Sequence, residues 1–304
     1  MSTSTAATVV VSKKGDSLFR LRAPLSVCFA VTNRCNYHCG HCMSASSTTT
    51  DWGLDEDGVR CILRTLARGG VCRVDIVGGE PFIRSDLTSI LQYGCELDLQ
   101  LVVTTNGSLL QRRHCEQLAD TGVAIQTSID GPQSINDRLR GAGSFDHSVA
   151  ALQLLLEYGV DRRICCTLQQ CNRHVVAEVS DLAVELQVNK LYFNLVCARG
   201  RAAANREGVL PRESEIAAIE NDVAEVRAIS SEHYDRIDFK KAIRDGVFID
   251  CRGNLFSQRE SNSGGSSERV GNVLRDDLEE MWTACSADNI VHLLQFLDHP
   301  LLYK

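Results

Sequence analysis

Apolar segments prone to β structure alternate along the chain with amphipathic segments prone to helix. The strand-like runs are predicted near residues 25–32, 72–77, 98–104, 123–129, 162–168 and 190–196. The helical runs are predicted near residues 55–68, 85–93, 110–121, 146–158, 174–187 and 213–229. Alternation of this kind is typical of βαβ units, which form a parallel sheet with right-handed crossovers. We therefore predict an α/β fold.

A group of three cysteines follows directly after the first predicted strand. Cys35, Cys39 and Cys42 lie within eight residues, in the run C-N-Y-H-C-G-H-C. A structural zinc site closes with four nitrogen or sulfur ligands. Thiolates can also hold an iron–sulfur cluster, in which three ligands leave one iron free to bind a small molecule. The spacing allows such a reactive cluster, but a zinc site completed by His38 or His41, or a chance grouping among the 14 cysteines, stays open.

Three further motifs follow the second, third and fourth predicted strands. They are Gly78-Gly79-Glu80-Pro81, Thr105-Asn106-Gly107 and Ser128-Ile129-Asp130-Gly131. Together with the cysteine loop, and in this order, they resemble the radical S-adenosylmethionine (SAM) superfamily over about residues 25–200. Each later motif is weak alone, whereas the four in order are specific.

The resemblance implies a partial, six-stranded (β/α)6 TIM-like barrel. In such a barrel the chemistry lies on loops at the carboxyl ends of the strands, where all four motifs fall. We expect a flexible tail at residues 1–20, the barrel at 21–210, and a small α+β extension at 211–304 that covers the barrel mouth. The 304 residues, 44% of them hydrophobic, are enough for one such domain and an appendage.

The resemblance also implies two cofactors and the chemistry that they carry out. Cys35, Cys39 and Cys42 would be the ligands of one [4Fe-4S] cluster, whose open iron binds the amino and carboxylate groups of SAM. Reduction of the cluster then splits SAM and generates a 5′-deoxyadenosyl radical, which abstracts a hydrogen atom from the substrate. We expect the electron to come from a flavodoxin-like or ferredoxin-like protein.

Five residues of the second and fourth motifs are expected to contact SAM. Gly78 and Gly79 would allow close approach of the backbone, because no side chain intervenes. Glu80 offers a carboxylate to the SAM ammonium group. Ser128 and Asp130 suit the ribose hydroxyls. The alternative for Glu80 is that it caps the helix after an ordinary strand-to-helix turn.

Other polar residues near these motifs complete the predicted SAM site. Arg140 resembles an arginine that contacts the SAM carboxylate in several relatives, although a surface salt bridge would also explain it. Thr105 and Asn106 are candidates for contact with SAM or substrate, but an Asn-Gly turn is common without any function. Many relatives carry an aromatic residue before the third cysteine to pack on the adenine, and here that residue is His41.

The last third of the chain resembles the SPASM/twitch extension of some radical SAM enzymes. The resemblance lies in residues 193–202, 248–256 and 270–282. Such extensions usually hold one or two auxiliary clusters on several cysteines, whereas after residue 200 this chain has only Cys251 and Cys285. An auxiliary cluster would have to combine Cys251 with upstream cysteines, for which the candidates are Cys165, Cys166, Cys171 and Cys197.

The loss of these ligands favours a redox-neutral reaction. Oxidation of a substrate radical needs an electron acceptor, which an auxiliary cluster can supply. Epimerisation needs none, because the hydrogen atom removed from one face of a carbon is replaced from the other face. The S–H bond of a cysteine is weak enough for this step, and we predict that Cys251 is the hydrogen-atom donor. A buried thiol or a relic of a cluster ligand is the alternative.

The extension most resembles that of neomycin-type aminoglycoside C5″ epimerases. We therefore expect epimerisation of a sugar carbon in a small cationic substrate of the aminoglycoside class. A dehydrogenase of an aminocyclitol and a peptide-modifying epimerase or crosslinking enzyme are the rivals. About 20 residues before the barrel leave little room for a leader-peptide-binding domain. A zinc-stabilised binding protein would leave the other motifs without a purpose.

The composition and net charge limit the classes of partner that we expect. The net charge is −7, the estimated isoelectric point is about 5.6 and no basic block is present, so nucleic acid is not an expected partner. We find neither a secretory signal nor a membrane-spanning segment in the sequence. The 14 cysteines are then best read as reduced thiols in the cytoplasm.

Overall fold

The computed structural model describes residues 22–204, 206–229, 237–240, 247–259 and 266–285. The tail predicted at residues 1–20 lies outside this part of the chain. The described residues form one mixed α/β unit around a sheet of ten strands. The strands are β1 (Ser26–Ala30), β2 (Arg73–Val77), β3 (Gln100–Thr105), β4 (Ala124–Ser128), β5 (Arg162–Leu168), β6 (Lys190–Leu195), β7 (Ile237–Lys240), β8 (Val247–Ile249), β9 (Asn254–Arg259) and β10 (Ser266–Asn272).

The first seven strands are neighbours in chain order and run parallel. The six predicted strands are confirmed as β1 to β6. The predicted α/β fold with a parallel sheet is therefore confirmed. The carboxyl ends of these seven strands therefore lie on one side of the barrel, which is where folds of this kind place their active-site loops.

The helices are α1 (Glu56–Gly69), α2 (Leu87–Glu96), α3 (Arg112–Leu118), α4 (Gln133–Arg140), α5 (Ser144–Glu157), α6 (Val176–Glu185), α7 (Arg201–Ala204), α8 (Arg206–Val209), α9 (Glu213–Ile229) and α10 (Leu278–Cys285). Helices α1 to α9 lie in the connections between the parallel strands β1 to β7, and α10 follows β10. All six predicted helices are present, with ends that differ by a few residues at most. The helices α4, α7, α8 and α10 were not predicted. None of the helices in the described ranges combines the length and apolar composition that a membrane crossing requires.

The first helix shows how the sequence specifies these elements. Asp55 caps α1 by accepting a hydrogen bond from the backbone N–H of Gly58 at 2.9 Å. Its buried residues follow the spacing of one helix face, namely Val59, Ile62, Leu63 and Leu66. Gly70 ends the helix with a left-handed φ of 90°, a conformation that costs glycine little.

The C-terminal segment contributes strands at both edges of the sheet. Beyond residue 210, α9 and β7 continue the alternation of the barrel, with β7 parallel to β6. At the opposite edge β8 pairs in parallel with β1, and β9 and β10 follow in antiparallel pairing. Because β8 runs parallel to β1, the residues that follow β8 lie at the same end of the strands as the cysteine loop that follows β1.

Candidate active site

The cysteine loop leaves β1 and is held by backbone hydrogen bonds on both sides. The N–H of Cys35 donates to the carbonyl of Ser47 at 3.0 Å, and the N–H of Gly40 donates to that of Leu139 at 3.2 Å. Cys35 is buried, and its Sγ accepts a hydrogen bond from the N–H of Tyr37 at 3.4 Å. The S–H of Cys39 points to the carbonyl oxygen of Arg140 at 3.9 Å.

The turn after β2 packs directly against this loop. The N–H of Gly79 donates to the carbonyl of Thr32, and the N–H of Glu80 donates to that of Arg34, each at 2.8 Å. A Cβ atom at Gly78 would collide with the carbonyl oxygen of Thr32, and one at Gly79 with that of Arg34. The two glycines therefore permit close approach of the cysteine loop, whereas the sequence predicted close approach of the cofactor.

The Glu80 carboxylate is fully buried and joins the ends of β2 and β3. It accepts hydrogen bonds from the hydroxyl of Thr105 at 2.6 Å and from the N–H groups of Asn106 at 2.7 Å and Phe82 at 3.0 Å. Burial raises the pKa of Glu80, while these three donors lower it. Contact of Glu80 with the SAM ammonium group remains a prediction.

Asn106 extends this network to the cysteine loop. Its Nδ2 donates to Oδ1 of Asn36 at 2.9 Å, and its Oδ1 accepts from the hydroxyl and N–H of Ser108. The hydroxyl of Thr105 also accepts from the N–H of Gly107 at 3.0 Å. Thr105 and Asn106 thus shape the loop's surroundings, and their contact with SAM or substrate remains a prediction.

Asp130 and Arg140 form a buried ion pair behind the loop. Nε of Arg140 donates to Oδ2 of Asp130 at 2.7 Å and the terminal nitrogen donates to Oδ1 at 3.0 Å. Asp130 is fully buried, and the N–H of Thr167 donates to it at 2.8 Å. Burial alone would raise its pKa, but Arg140, His41 and these donors hold it below the usual range. Contact of Asp130 with the ribose hydroxyls and of Arg140 with the SAM carboxylate remains a prediction.

His41, which stands where many relatives place an aromatic residue, is buried in the same network. Its Nε2 lies 3.3 Å from Oδ2 of Asp130, and its Nδ1 lies 3.5 Å from Nε2 of Gln169. Burial is the main cause that lowers the pKa of His41 to about 4. The ring is therefore neutral at pH 7 and positions the loop against the ends of β4 and β5. Ser128, at the end of β4, is half-buried and its role toward the ribose remains a prediction.

Cys251 follows β8 and lies beside the segment that returns from the cysteine loop. Its carbonyl accepts from the N–H of Leu54 at 2.8 Å, and a Cβ at Gly53 would lie 2.6 Å from that carbonyl oxygen. The thiol is buried and points to Oδ2 of Asp51 at 3.9 Å. Burial, reinforced by Asp51 and Asp250, raises the pKa of Cys251 to about 11.

Two of the upstream cysteines considered for an auxiliary cluster, Cys165 and Cys166, are adjacent on β5 and therefore point to opposite faces of the sheet. Cys166 lies in the core between sheet and helices, while Cys165 accepts a hydrogen bond from Nδ2 of Asn194 at 2.9 Å. Cys171 is exposed. These two faces of β5 cannot both supply ligands to one cluster.

The three thiols of the cysteine loop supply a donor set that suits a [4Fe-4S] cluster. Within the described ranges, no three His, Cys, Asp or Glu side chains are grouped to hold a single metal ion. In a cubane each thiolate binds a different iron, so the three sulfurs need not converge on one point. Burial raises the pKa of Cys35 to about 11 and also raises that of Cys39, so binding to iron would release their protons.

Two arginines that sequence reasoning missed also hold this loop. Arg84 is buried, and one terminal nitrogen donates to the carbonyls of Val31 and Leu54. Arg201 donates from Nε to the carbonyl of Cys39 at 2.8 Å. Arg201 lies in the run A-R-G-R-A, residues 198–202, and the glycine of this run is the sequence feature that indicates a close backbone contact.

Comparison with protein families gives a match over the barrel. Residues 29–169 match the model of the radical SAM superfamily. Among curated relatives, the AdoMet-dependent heme synthase of Methanosarcina barkeri is 28% identical over 76% of this chain and 68% of its own length. The PqqA peptide cyclase of Rhodopseudomonas palustris is 29% identical over 72% and 58%, respectively. The mycofactocin maturase MftC of Mycolicibacterium smegmatis is 33% identical over 54% and 42%. The chain thus spans about two thirds or less of the length of these relatives.

Solved structures share the fold at low sequence identity. Streptococcus suis SuiB bound to S-adenosylmethionine aligns with a TM-score of 0.69 and 17% identity, over 90% of this chain and 68% of SuiB. The AdoMet-bound enzyme anSMEcpe aligns with a TM-score of 0.67 and 16% identity, over 89% and 83%. The partial barrel predicted from the sequence is that of these neighbours. Residues 29–169, which include the cysteine loop, therefore match the radical SAM superfamily, whose cofactors are SAM and a [4Fe-4S] cluster, and the solved structures share the fold.

Proposed function

We propose that this radical SAM enzyme inverts a carbon centre of its substrate with no net oxidation of the substrate, with Cys251 as the hydrogen-atom donor. The thiyl radical left on Cys251 would return to the thiol by taking one electron from the flavodoxin-like or ferredoxin-like reductant and one proton from solvent. Cys35, Cys39 and Cys42 would hold the cluster. When bound, the cluster and SAM supply the 5′-deoxyadenosyl radical that removes a hydrogen atom from the substrate. The chain's own contribution is to hold the cysteine loop in shape and to keep a protonated thiol available.

The position of Cys251 beside the connection that follows the cysteine loop is the observation that carries this proposal. A hydrogen atom can leave a thiol but not a thiolate, and the raised pKa of about 11 keeps Cys251 protonated at neutral pH. The parallel pairing of β8 with β1 brings it to the edge of the sheet that carries the cysteine loop. Asp51 lies in the connection between the cysteine loop and α1, and its carboxylate accepts a hydrogen bond from the S–H of Cys251.

A peptide is the substrate class that the relatives support best. The PqqA peptide cyclase is named for a peptide, and a SuiB structure with the precursor peptide SuiA aligns with a TM-score of 0.71. A peptide-modifying reaction is therefore the stronger candidate on these comparisons. Because the chain covers only part of these proteins, their substrates are carried over here as a proposal.

An aminoglycoside is the second candidate substrate, as the sequence of the extension predicts. The carboxylates of Asp51 and Asp250 both lie near the Cys251 thiol, and Arg252 lowers the pKa of Asp51 by hydrogen bonding to it. Negative charge beside the donor would favour a substrate that carries ammonium groups. No relative reported above is named for an aminoglycoside.

Isotope transfer from solvent tests the reaction type. The reduced, reconstituted enzyme is incubated with SAM in deuterated water, separately with an aminoglycoside panel and with peptides, and products are examined by mass spectrometry and NMR. We expect a product that is an isomer of the substrate and that carries one deuterium at the inverted carbon. The Cys251→Ala variant should still cleave SAM and lose the deuterated product. A product lacking two hydrogens, or unchanged turnover by Cys251→Ala, would overturn the epimerase proposal in favour of oxidation or crosslinking.

A further inference from the structure

We propose that Arg201 is a positioning residue that fixes the shape of the cysteine loop and places a positive charge beside it. This rests on the assignment of the cluster to Cys35, Cys39 and Cys42, and is independent of the substrate and of the role of Cys251. Arg201 is the first residue of α7, in the connection that follows β6, and lies outside the four motifs that the sequence singled out.

Three hydrogen bonds tie Arg201 to three points of the loop. Nε donates to the carbonyl of Cys39 at 2.8 Å, and a terminal nitrogen donates to the carbonyl of Ser46 at 2.9 Å. The backbone N–H of Arg201 donates to the carbonyl of Cys42 at 3.0 Å. The loop's own turn bonds are longer, 3.2 Å from Cys42 to Cys39 and 3.3 Å from Ala45 to Cys42. Arg201 thus spans the segment that carries two of the three proposed ligands.

The residue before Arg201 is adapted to the same contact. Gly200 has a left-handed φ of 55°, and an added Cβ would collide with the carbonyl oxygens of Cys42 and Met43. The loop backbone therefore passes so close to residue 200 that only glycine fits without movement. Two consecutive residues, Gly200 and Arg201, meet the same stretch of loop.

The topology gives this contact a wider consequence. The cysteine loop follows β1 and Arg201 follows β6, and four strands lie between these two in the sheet. The connections that follow β1 and β6 are in direct contact, which means that the sheet curves enough to bring them together at the mouth of the barrel. Arg201 therefore links the cysteine loop to the far side of the barrel.

The guanidinium group suits both tasks. Its planar fork can donate to two carbonyl oxygens at fixed directions, which a lysine ammonium cannot reproduce with the same geometry. Its permanent charge beside the loop would raise the reduction potential of a bound cluster, because net charge and hydrogen bonding set that potential. Charge and geometry can therefore be separated by two substitutions.

The test compares Arg201→Lys, Arg201→Gln and the control Arg212→Gln, an exposed arginine near the start of α9. Each protein is reconstituted anaerobically, and its iron content, rate of iron loss to a chelator, and cluster midpoint potential are measured by redox titration with EPR detection. Circular dichroism and thermal unfolding check the fold of each variant.

We expect Arg201→Lys to keep the wild-type potential and to lose iron about 10-fold faster, the lower range for loss of a supporting group around a metal site. Arg201→Gln should also lose iron faster and shift the midpoint potential to lower values. Wild-type behaviour of both variants in release rate and potential would overturn the role of Arg201. A wild-type protein that binds no iron would instead overturn the cluster assignment itself.

Discussion

At the scale of single residues, the buried Asp130–Arg140 pair bears on how the site is built. The carboxylate is completely buried and the arginine side chain is 11% exposed. A buried carboxylate is costly unless it is paired, and here Arg140, His41 and a backbone N–H surround it. The pair therefore supports the cysteine loop whether or not either residue also contacts SAM.

Replacing Arg140 with methionine should destabilise the protein strongly. Removing one partner leaves an uncompensated buried charge, which costs about 3–5 kcal/mol. The matched control is Arg112→Met, because the Arg112–Glu157 pair has a similar distance of 3.0 Å but is 62% and 57% exposed. Exposed pairs contribute about 0.2–1 kcal/mol. Urea unfolding of both metal-free variants measures the difference, and equal losses would mean that the buried pair is not a structural requirement.

At the scale of elements, the turn after β2 and the cysteine loop form one packed unit. Their contact depends on the absence of side chains at Gly78 and Gly79, and two backbone hydrogen bonds cross between them. The unit is therefore sensitive to the smallest added side chain. The loss of stability caused by an added methyl group should therefore differ sharply between the glycines of this region.

Gly79→Ala should disturb this unit and Gly40→Ala should not. A Cβ at Gly79 collides with the backbone of Arg34, whereas a Cβ at Gly40, inside the cysteine loop, meets no atom within 4 Å. We expect Gly79→Ala to lose about 1–3 kcal/mol of stability, as overpacking does, and to bind less iron after reconstitution. Iron analysis and thermal unfolding give the comparison. Similar iron contents in the two variants would show that the close approach is dispensable.

The elements predicted from the sequence are those with a clear apolar period. The strands β1 to β6 are largely buried segments of strand-forming residues, and helices such as α1 carry their core residues on one face, so the sequence pattern locates them. Helix α4 was missed; it has only eight residues, and its one buried residue is the polar Asn136. Arg140 lies at the end of this helix, so its partner could not be read from the sequence.

The site was predicted at the level of motifs and not of contacts. The cysteine loop and the strand-end motifs do converge at one edge, as parallel strands require. Local spacing could not reveal that Glu80 and Asp130 would be occupied by partners from other strands. Nor could it show that Arg201, more than 150 residues from Cys39 in the chain, would reach the loop. Such contacts depend on the curvature of the whole sheet.

At the scale of the whole molecule, the fold brings the cysteine loop and Cys251 to the same end of the parallel strands. The cysteine loop is contacted from the ends of β2 to β6, and the C-terminal segment returns so that β8 lies beside β1. Cys251 then emerges next to the connection that follows the loop. This arrangement is the one that the proposed action of a cluster and the Cys251 thiol on one substrate requires.

Counting iron and sulfide after anaerobic reconstitution tests this account most directly. Three proteins are compared: the wild type, a variant with Cys35, Cys39 and Cys42 changed to alanine, and Cys251→Ala. We expect about four irons in the wild type and in Cys251→Ala, and none in the triple variant, as one [4Fe-4S] cluster on the loop requires. About four irons remaining in the triple variant, or loss of iron in Cys251→Ala, would contradict the account, because Cys251 would then be a ligand and not a hydrogen-atom donor.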